Sequence, residues 1–334
     1  MKKALITGVT GQDGSYLSEL LLEKGYEVYG MHRKTSTPNF TNITHILDKI
    51  KLVCGELTDG RSLTELVKEL QPDEVYNLAA QSHVQLSESQ PTLTWETNAF
   101  GVVRLLEAIK KYSPATKFYQ ASSSEMFGNS QPPQNEQTAF QPQSLYGESK
   151  AWAHKQLKKY RENGIFAVGG ILFNHESPRR GLNFVTRKIT SNLAKIAFGK
   201  AKKFELGNLD AMRDWGYAGD YVAAMHLMLQ QEKPDDYVIA TGELYTVKDF
   251  VQAAAEQMGM HITFEGEGLH KKVMWESDCI ISVDQQYFRA QEVNYYLCGD
   301  ARKAQSELGW QPKVDFKELV RMMVHADVSL FSHM

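Results

Sequence analysis

The stretch Thr7-Gly8-Val9-Thr10-Gly11-Gln12-Asp13-Gly14 decides the fold, because it links an apolar run at 4–7 to an amphipathic run at 15–23. The first run predicts a strand and the second a helix. Gly8 allows a tight turn, Gly11 lets the backbone approach a pyrophosphate, and Gly14 allows close helix packing. The helix N-terminus would point at the anion, so the stretch predicts a dinucleotide-binding turn; a turn that binds nothing is the alternative. The cofactor contacts predicted here are Gly8, Thr10, Gly11, Gln12, Asp13 and Gly14.

Short apolar runs alternate with helix-length amphipathic segments through the first half of the chain. This alternation is typical of βαβ units around a parallel sheet. The predicted strands cover 4–7, 27–31, 51–54, 74–78, 117–121 and 166–172. We therefore expect an α/β fold with a Rossmann-type, doubly wound parallel sheet, formed mainly by residues 1–172, which bind the cofactor.

After residue 172 the pattern changes to shorter elements, including a strand at 204–206 and a helix at 247–258. We expect residues 173–334 to form mainly a smaller C-terminal lobe that binds the substrate, with some segments returning to the sheet. The segment 129–143 is rich in Pro, Gln and Asn, and it predicts an ordered surface loop or a lid.

The composition excludes several classes of protein. The 334 residues carry 37 Lys and Arg against 40 Asp and Glu, a net charge of −3, so there is no basic excess to bind nucleic acid. No apolar run is long enough to span a membrane. Cys54, Cys279 and Cys298 form no CxxC pair, so we predict reduced thiols, a cytoplasmic location and no metal site.

The end of the second predicted strand indicates which dinucleotide is bound. An NAD site usually has an acidic residue there, which accepts the ribose hydroxyls. This chain has His32-Arg33-Lys34 instead, and a guanidinium beside an ammonium suits a 2′-phosphate. We therefore predict NADP, with Arg33 as a contact; a solvated basic loop is the alternative. The run after the fourth strand either lies along the nicotinamide ribose or packs in the core, and it comprises Leu78, Ala79, Ala80, Gln81 and Ser82.

Tyr146 and Lys150 are four residues apart in a predicted helix, so their side chains share one face. An ammonium beside a phenol lowers the phenol pKa from about 10, which would make Tyr146 a base. Ser123 and Glu125 follow the fifth strand, at the sheet edge where ligands bind. Hydride transfer alone has no use for Glu125, so this carboxylate indicates a second proton transfer, as in a dehydratase; a capping or ion-pairing role is the alternative.

Four longer stretches carry a resemblance to a known family. They cover residues 6–17, 77–84, 173–181 and 207–216, including Asn-His-Glu-Ser-Pro-Arg-Arg-Gly from Asn174 and Asn-Leu-Asp-Ala-Met-Arg-Asp-Trp from Asn208. Over nearly its full length the chain resembles the GDP-mannose 4,6-dehydratases of the extended short-chain dehydrogenase/reductase group. The resemblance implies conversion of GDP-D-mannose to GDP-4-dehydro-6-deoxy-D-mannose and water, through an internal NADP hydride shuttle from C4 to C6.

The resemblance also implies roles for individual residues. Ser123, where the family usually has Thr, would bind the sugar O4, and Glu125 would be the acid and base at C5 and C6. Tyr146 and Lys150 would complete the catalytic set and also contact the cofactor. Further cofactor contacts are implied for Glu56, Leu57, His175 and Arg180. The implied substrate contacts are Ser82, Ser123, Glu125, Asn174, Val185, Lys188, Leu206, Arg213, Arg289 and Glu292.

This sequence departs from the family pattern at several positions. Glu56 replaces Asp, Leu93 replaces Tyr, Leu145 replaces Pro, and residues 84–87 differ beside the expected sugar pocket. These departures leave the sugar open but not the reaction type. The alternative enzymes are a dehydratase of a related sugar such as GDP-manno-heptose and an NADPH-dependent GDP-4-keto-6-deoxy-sugar reductase. A catalytically silent NADP-binding regulator is the alternative from another class.

The family resemblance also predicts a homo-oligomer, either a dimer or a tetramer, since helices of such folds commonly pair across a two-fold axis. An apolar helix face could supply the surface or could instead face the sheet; it comprises Val102, Leu105, Leu106 and Ile109.

Overall fold

The computed structural model describes residues 1–288 and 296–332. The predicted site residues Arg289 and Glu292 lie outside the described residues. The strands are β1 (Lys3–Thr7), β2 (Glu27–His32), β3 (Lys51–Cys54), β4 (Glu74–Asn77), β5 (Lys117–Ser123), β6 (Ala167–Leu172), β7 (Asn174–Glu176), β8 (Phe204–Leu206), β9 (Met212–Arg213), β10 (Trp215–Tyr217), β11 (Asp236–Ile239), β12 (Tyr245–Thr246), β13 (Ile262–Glu265), β14 (Lys272–Trp275) and β15 (Asp278–Val283). The helices are α1 (Gln12–Glu23), α2 (Gly60–Leu70), α3 (Val84–Ser89), α4 (Pro91–Trp95), α5 (Gly101–Tyr112), α6 (Leu145–Glu162), α7 (Val185–Ala197), α8 (Ala218–Leu229), α9 (Val247–Gln257), α10 (Arg302–Leu308) and α11 (Phe316–Ser332).

Seven strands form one parallel sheet in the order β11-β6-β5-β4-β1-β2-β3. Helices α1 and α8 bury apolar side chains against one face, and α2, α5 and α6 do so against the other. The chain reverses its winding between β1 and β4, and this switch point is where doubly wound sheets bind ligands. The predicted Rossmann-type fold is confirmed.

The predicted strands of the first half are all present, with ends that shift by one or two residues. The shift with a consequence is in β5, which continues past the predicted end at 121. Ser122 pairs with Ile171 and Ser123 with Leu172, so the ladder with β6 carries Ser123 to the sheet edge. Helix α1 begins at Gln12, earlier than predicted, because Gly11 already serves as its N-cap.

The second lobe has its own apolar core, in which Trp215, Phe250 and Phe316 pack together. Strands β13, β14, β15 and β8 form a small sheet beside α7, α9 and α11. Two other late segments lie on the large sheet, since β11 pairs with β6 and α8 packs on β5 and β6. The second lobe lies over the carboxyl ends of the parallel strands. The chain after residue 172 therefore contributes both to this lobe and to the large sheet.

The apolar face of α5 points into the protein. Its residues belong to the core that α5 forms with α2 and α6, and the exposure of each is 1% or less: Val102, Leu105, Leu106 and Ile109. The alternative that they supply an oligomer surface is therefore wrong. Periodicity identifies an apolar face but does not say whether a sheet or a second subunit covers it.

Among the described residues, no helix is long and apolar enough to cross a membrane. In that same part of the chain no group of three or more His, Cys, Asp or Glu could hold a metal ion. Cys54, Cys279 and Cys298 are free thiols.

Candidate active site

A cavity of about 570 Å³ opens where the carboxyl ends of β4, β5 and β6 meet the second lobe. Most of the predicted site residues line it, although they come from distant parts of the chain. They are Asp13, Leu78, Ala80, Ser82, Ser123, Glu125, Tyr146, Lys150, Asn174, His175, Arg180, Val185, Lys188, Leu206 and Arg213.

The other predicted residues that the structure describes do not line the cavity. The glycine turn and the first turn of α1 contain Gly8, Thr10, Gly11, Gln12 and Gly14. Arg33 follows β2, Glu56 and Leu57 follow β3, and Ala79 and Gln81 flank Ala80.

The glycine turn leaves room only for backbone. Gly8 has φ +71°, and a Cβ atom there would lie 2.9 Å from the backbone N of Ala79. A Cβ on Gly14 would lie 2.4 Å from the carbonyl oxygen of Gly8. No side chain caps the N-terminus of α1 at Gly11, so its backbone N–H groups are available to an anion. This geometry fits the pyrophosphate of a dinucleotide.

Two side chains of the turn are bonded to the segment around β7. The Asp13 Oδ2 and His175 Nε2 atoms are 2.8 Å apart, and Gln12 Nε2 donates to the His175 carbonyl at 3.0 Å. Ser177 Oγ donates to Gln12 Oε1 at 2.7 Å. Burial acts to raise the pKa of Asp13, but the imidazole of His175 lowers it overall; burial acts to lower the pKa of His175, but Asp13 raises it. Each shift favours the charged form of its group, and the contact joins the nucleotide turn to the wall of the cavity.

Tyr146 and Lys150 are brought together as the spacing predicts, on the face of α6 that packs against β5. Lys150 Nζ donates to the Ala121 carbonyl at 2.9 Å and lies 5.9 Å from the centre of the Tyr146 ring. Burial raises the pKa of Tyr146 to about 12, although a hydrogen bond with Ser123 acts to lower it, and burial lowers the pKa of Lys150 to about 8. The expectation that the phenol pKa is lowered overall is therefore wrong for this structure, because desolvation outweighs the lowering by Ser123 and by the charge of Arg180.

Glu125 is positioned by the short 3-10 helix Ser124–Met126 directly after β5. Its backbone N–H donates to Ser123 Oγ at 3.2 Å. Helix α6 begins against this turn, and a Cβ on Gly147 would lie 2.6 Å from the carbonyl oxygen of Glu125. Glycine at 147 is thus what allows Tyr146 and Glu125 to share one cavity.

Three cationic side chains line the lobe side of the cavity. The Arg180 guanidinium lies 3.6 Å from the centre of the Phe184 ring and pairs with Glu176 at 3.2 Å. Lys188 Nζ lies 3.8 Å from the centre of the Tyr287 ring, and Arg213 donates to the Met212 carbonyl at 2.7 Å. Guanidinium and ammonium groups arranged in this way can bind a diphosphate.

The cavity also includes residues that the sequence did not single out as contacts. His83 and Gln85 follow Ser82 at the end of β4, so their position next to a predicted contact was a usable signal. Phe184, Tyr287 and Phe288 come from the second lobe and belong to no motif that indicates ligand binding. Only the tertiary structure brings them to the site.

Lys150 is expected to cost stability at neutral pH. Its pKa in the folded protein, about 8, is below the ordinary 10.5, so the unfolded chain binds the proton more tightly. The folded state should therefore gain stability as pH rises from about 8 to 10.5, and Lys150→Met should be more stable than the parent at pH 7, by about 1–3 kcal/mol. Urea unfolding at pH 7 and about pH 9.5 checks this, with the exposed Lys110→Met as control. A less stable Lys150→Met variant at pH 7 would contradict the argument.

Comparison with known proteins identifies the family of the chain. A family model described as GDP-mannose 4,6 dehydratase matches residues 5–323. GDP-mannose 4,6 dehydratase 1 of Arabidopsis thaliana is 51% identical, covering 98% of this chain and 90% of its own length, and the Homo sapiens GDP-mannose 4,6 dehydratase is 49% identical, covering 98% and 91%. The solved UDP-glucose 4-epimerase of Thermotoga maritima superposes with a TM-score of 0.83, covering 98% of this chain and 99% of that one; at 24% identity it shows the shared fold alone. With a family model over most of its length and relatives near half identical, the chain belongs to the GDP-mannose 4,6-dehydratase family.

Proposed function

We propose that this chain is an NADP-dependent GDP-mannose 4,6-dehydratase, which converts GDP-D-mannose to GDP-4-dehydro-6-deoxy-D-mannose and water. The observation that carries the proposal is that Glu125 shares a cavity with Ser123, Tyr146 and Lys150. The last three suffice for oxidation of a hydroxyl, and the additional carboxylate supplies the proton transfers of an elimination. The human and plant relatives bear the same activity in their names.

The proposed cofactor site is the glycine turn together with the end of β4. Thr7 Oγ1 accepts hydrogen bonds from the N–H groups of Leu78 and Ala79, at 3.1 and 3.0 Å, and so holds the two segments side by side. Gly8, Thr10, Gly11, Gln12, Asp13 and Gly14 would hold the pyrophosphate side, and Glu56, Leu57, His175 and Arg180 are proposed as further contacts. NADP, when bound there, supplies a reversible hydride acceptor for C4 and donor for C6 of the sugar.

The residues of the chain perform the proton transfers. Ser123 binds the O4 hydroxyl, and Tyr146, with Lys150 beside it, takes the O4 proton as C4 is oxidised to a ketone. The ketone acidifies the C5–H bond, so Glu125 removes that proton and then passes it to the departing C6 hydroxyl. One water is lost in this way and a 5,6 double bond is left; C6 then receives the hydride that C4 gave up, and C5 takes up a proton from water.

The GDP part of the substrate is proposed to lie along the second lobe. Arg213 and Lys188 would face the diphosphate, and the apolar side chains of Val185 and Leu206 would contact the nucleoside. Asn174 and Ser82 line the same cavity and are proposed as further contacts. Arg289 and Glu292 belong to the same proposed set.

The function is tested by incubating the protein with several GDP-sugars and no added cofactor, followed by mass analysis of the products. Loss of one water from GDP-mannose supports the proposal. Preference for GDP-manno-heptose would favour the related dehydratase, a requirement for stoichiometric NADPH would favour a reductase, and no turnover of any sugar would favour a silent NADP-binding regulator.

Arg33 is expected to discriminate NADP from NAD. Gly8 donates its N–H to the Met31 carbonyl at 3.2 Å, so the end of β2 lies beside the glycine turn and exposed Arg33 follows two residues later. Arg33→Ala should weaken NADP binding by roughly 1–3 kcal/mol through loss of a charge-assisted phosphate contact, with little effect on NAD. Calorimetric titration with both nucleotides measures this, and the exposed Arg61→Ala is the control. Equal weakening of both would remove Arg33 from the phosphate site.

We propose that the protein forms a homo-oligomer through a different helical surface from the one considered above. The ring of Phe100, in the turn between α4 and α5, contacts the rings of Trp95 on α4 and Trp152 on α6, which also contact each other. Phe100 and nearby Leu93 remain about 40% exposed. An apolar patch of this kind favours burial against a second copy. Phe100→Glu should lower the mass found by light scattering, whereas Leu330→Glu, at another exposed apolar position, should not; an unchanged mass in both would leave this surface without a role in assembly.

We propose a cytoplasmic location, which the three free thiols support because reducing compartments maintain unpaired cysteines.

A further inference from the structure

Helix α6 is attached to strand β5 by polar contacts on three successive turns. Tyr146 hydrogen-bonds Ser123, and Lys150 donates to the carbonyl of Ala121. The third contact is made by His154, which no step of the proposed reaction uses. Its Nδ1 atom lies 2.7 Å from Ser122 Oγ. The adjacent strand residues Ser122 and Ser123 are therefore contacted by side chains that are two turns apart on α6.

The imidazole of His154 is confined by two further segments. The ring of Phe140, from the segment 129–143, meets it edge-on with centroids 5.4 Å apart. Strand β6 has Gly169 opposite the ring, and a Cβ there would lie 2.5 Å from His154 Cε1. The side chain is buried with 7% exposure and does not line the cavity. The ring of His154 is therefore held in one position. No residue of the segment 129–143 lines the cavity.

The outer nitrogen of the ring faces a fixed carboxylate. His154 Nε2 lies 3.5 Å from Asp236 Oδ2 on β11, and Arg161 of α6 pairs with both oxygens of Asp236. Burial acts to raise the pKa of Asp236, but His154 and Arg161 lower it overall, so the carboxylate is ionised. Because an ionised carboxylate only accepts, a ring proton on Nε2 suits it, and Nδ1 shares a hydrogen bond with the Ser122 hydroxyl.

We propose that His154 is a positioning residue, which fixes the register of α6 on β5 and thereby places Tyr146 and Lys150 against Ser123. This inference rests on the proposed dehydratase function for its kinetic consequences. A helix rises about 1.5 Å per residue, so a slip of α6 by one residue would move the Tyr146 hydroxyl by a comparable distance. Misplacement of a reacting group by about 1 Å costs about 10²-fold in rate.

The test compares two replacements of similar size at 154. His154→Leu removes the polar contact and is expected to lower kcat at least about tenfold, with the KM for GDP-mannose little changed because the residue does not touch substrate. His154→Asn keeps a polar atom near the position of Nδ1 and should recover most of kcat. Leu157→Ala is the matched control, since it removes a fully buried apolar side chain one turn further along α6 and should lower stability without lowering kcat.

A double-mutant cycle with Ser122→Ala provides a measurement that does not depend on activity. If the contact sets the register, the two single variants, Ser122→Ala and His154→Leu, should together lose more unfolding free energy than the double variant does. The kcat of the double variant should be no lower than that of His154→Leu. Additive losses, or parent kcat in His154→Leu, would overturn the inference. If the parent does not dehydrate GDP-mannose, the proposed function fails while the unfolding cycle still decides the role of His154.

Discussion

Glu125→Gln is expected to lower the rate of GDP-mannose dehydration by about 10²-fold or more, the usual contribution of a general acid or base. The amide has nearly the size and shape of the carboxylate, so the 3-10 turn and the hydrogen bond from the backbone of residue 125 to Ser123 should remain. What is lost is the group proposed to take the C5 proton and to protonate the leaving C6 hydroxyl. Binding of nucleotide and oxidation at C4 should persist, because neither uses this side chain.

The partial reaction makes this prediction specific. In heavy water the parent should introduce deuterium at C5, and Glu125→Gln should not. Reduction of the quenched mixture with borodeuteride should place deuterium at C4 of a GDP-hexose that still has its C6 hydroxyl, which shows that oxidation occurred and elimination did not. Turnover of Glu125→Gln at the parent rate would mean that the carboxylate is structural and that the proposed elimination is wrong.

The sequence predicts the geometry of the glycine turn and of the pair on α6 well, because the determinants of both are local. The Gly8, Gly11 and Gly14 spacing constrains a single turn, and the distance from Tyr146 to Lys150 is one helical turn. Both arrangements follow from backbone geometry, so their confirmation requires no knowledge of what packs above them.

Burial and distant contacts explain what the sequence could not predict. The pKa of Tyr146 depends on how completely the second lobe and α6 remove water from the phenol, and a spacing of four residues contains no information on that. The segment 129–143 has no apolar period, yet Gln134 is fully buried and exchanges backbone hydrogen bonds with Cys298 and Asp300. Such partners lie more than 160 residues away, so only the folded chain reveals them.

Tyr146→Phe is expected to lower the rate by about 10²–10⁴-fold, since it removes the group proposed to accept the O4 proton. The variant should retain the ring packing of α6 and should bind GDP and nucleotide as the parent does. In contrast to Glu125→Gln, borodeuteride should trap no ketone at C4, because oxidation itself fails. A Tyr146→Phe variant that still yields the trapped ketone would assign the base to another residue.

The pH dependence of the parent supplies an independent check on Tyr146 and Lys150 as a pair. The proposed reactive state is a phenolate beside an ammonium. In this state the pair carries one of the two protons that it can hold, the same number as a phenol beside a neutral amine. With the pKa of Lys150 near 8 and that of Tyr146 near 12, the state with one proton becomes dominant above about pH 8 and stays dominant to about pH 12. We therefore expect kcat/KM to rise with pH up to about 8 and then to level off, and we expect Tyr146→Phe to show no such rise. A parent profile that falls between pH 6 and 8 would mean that the two groups do not share the proton on which the proposed oxidation depends.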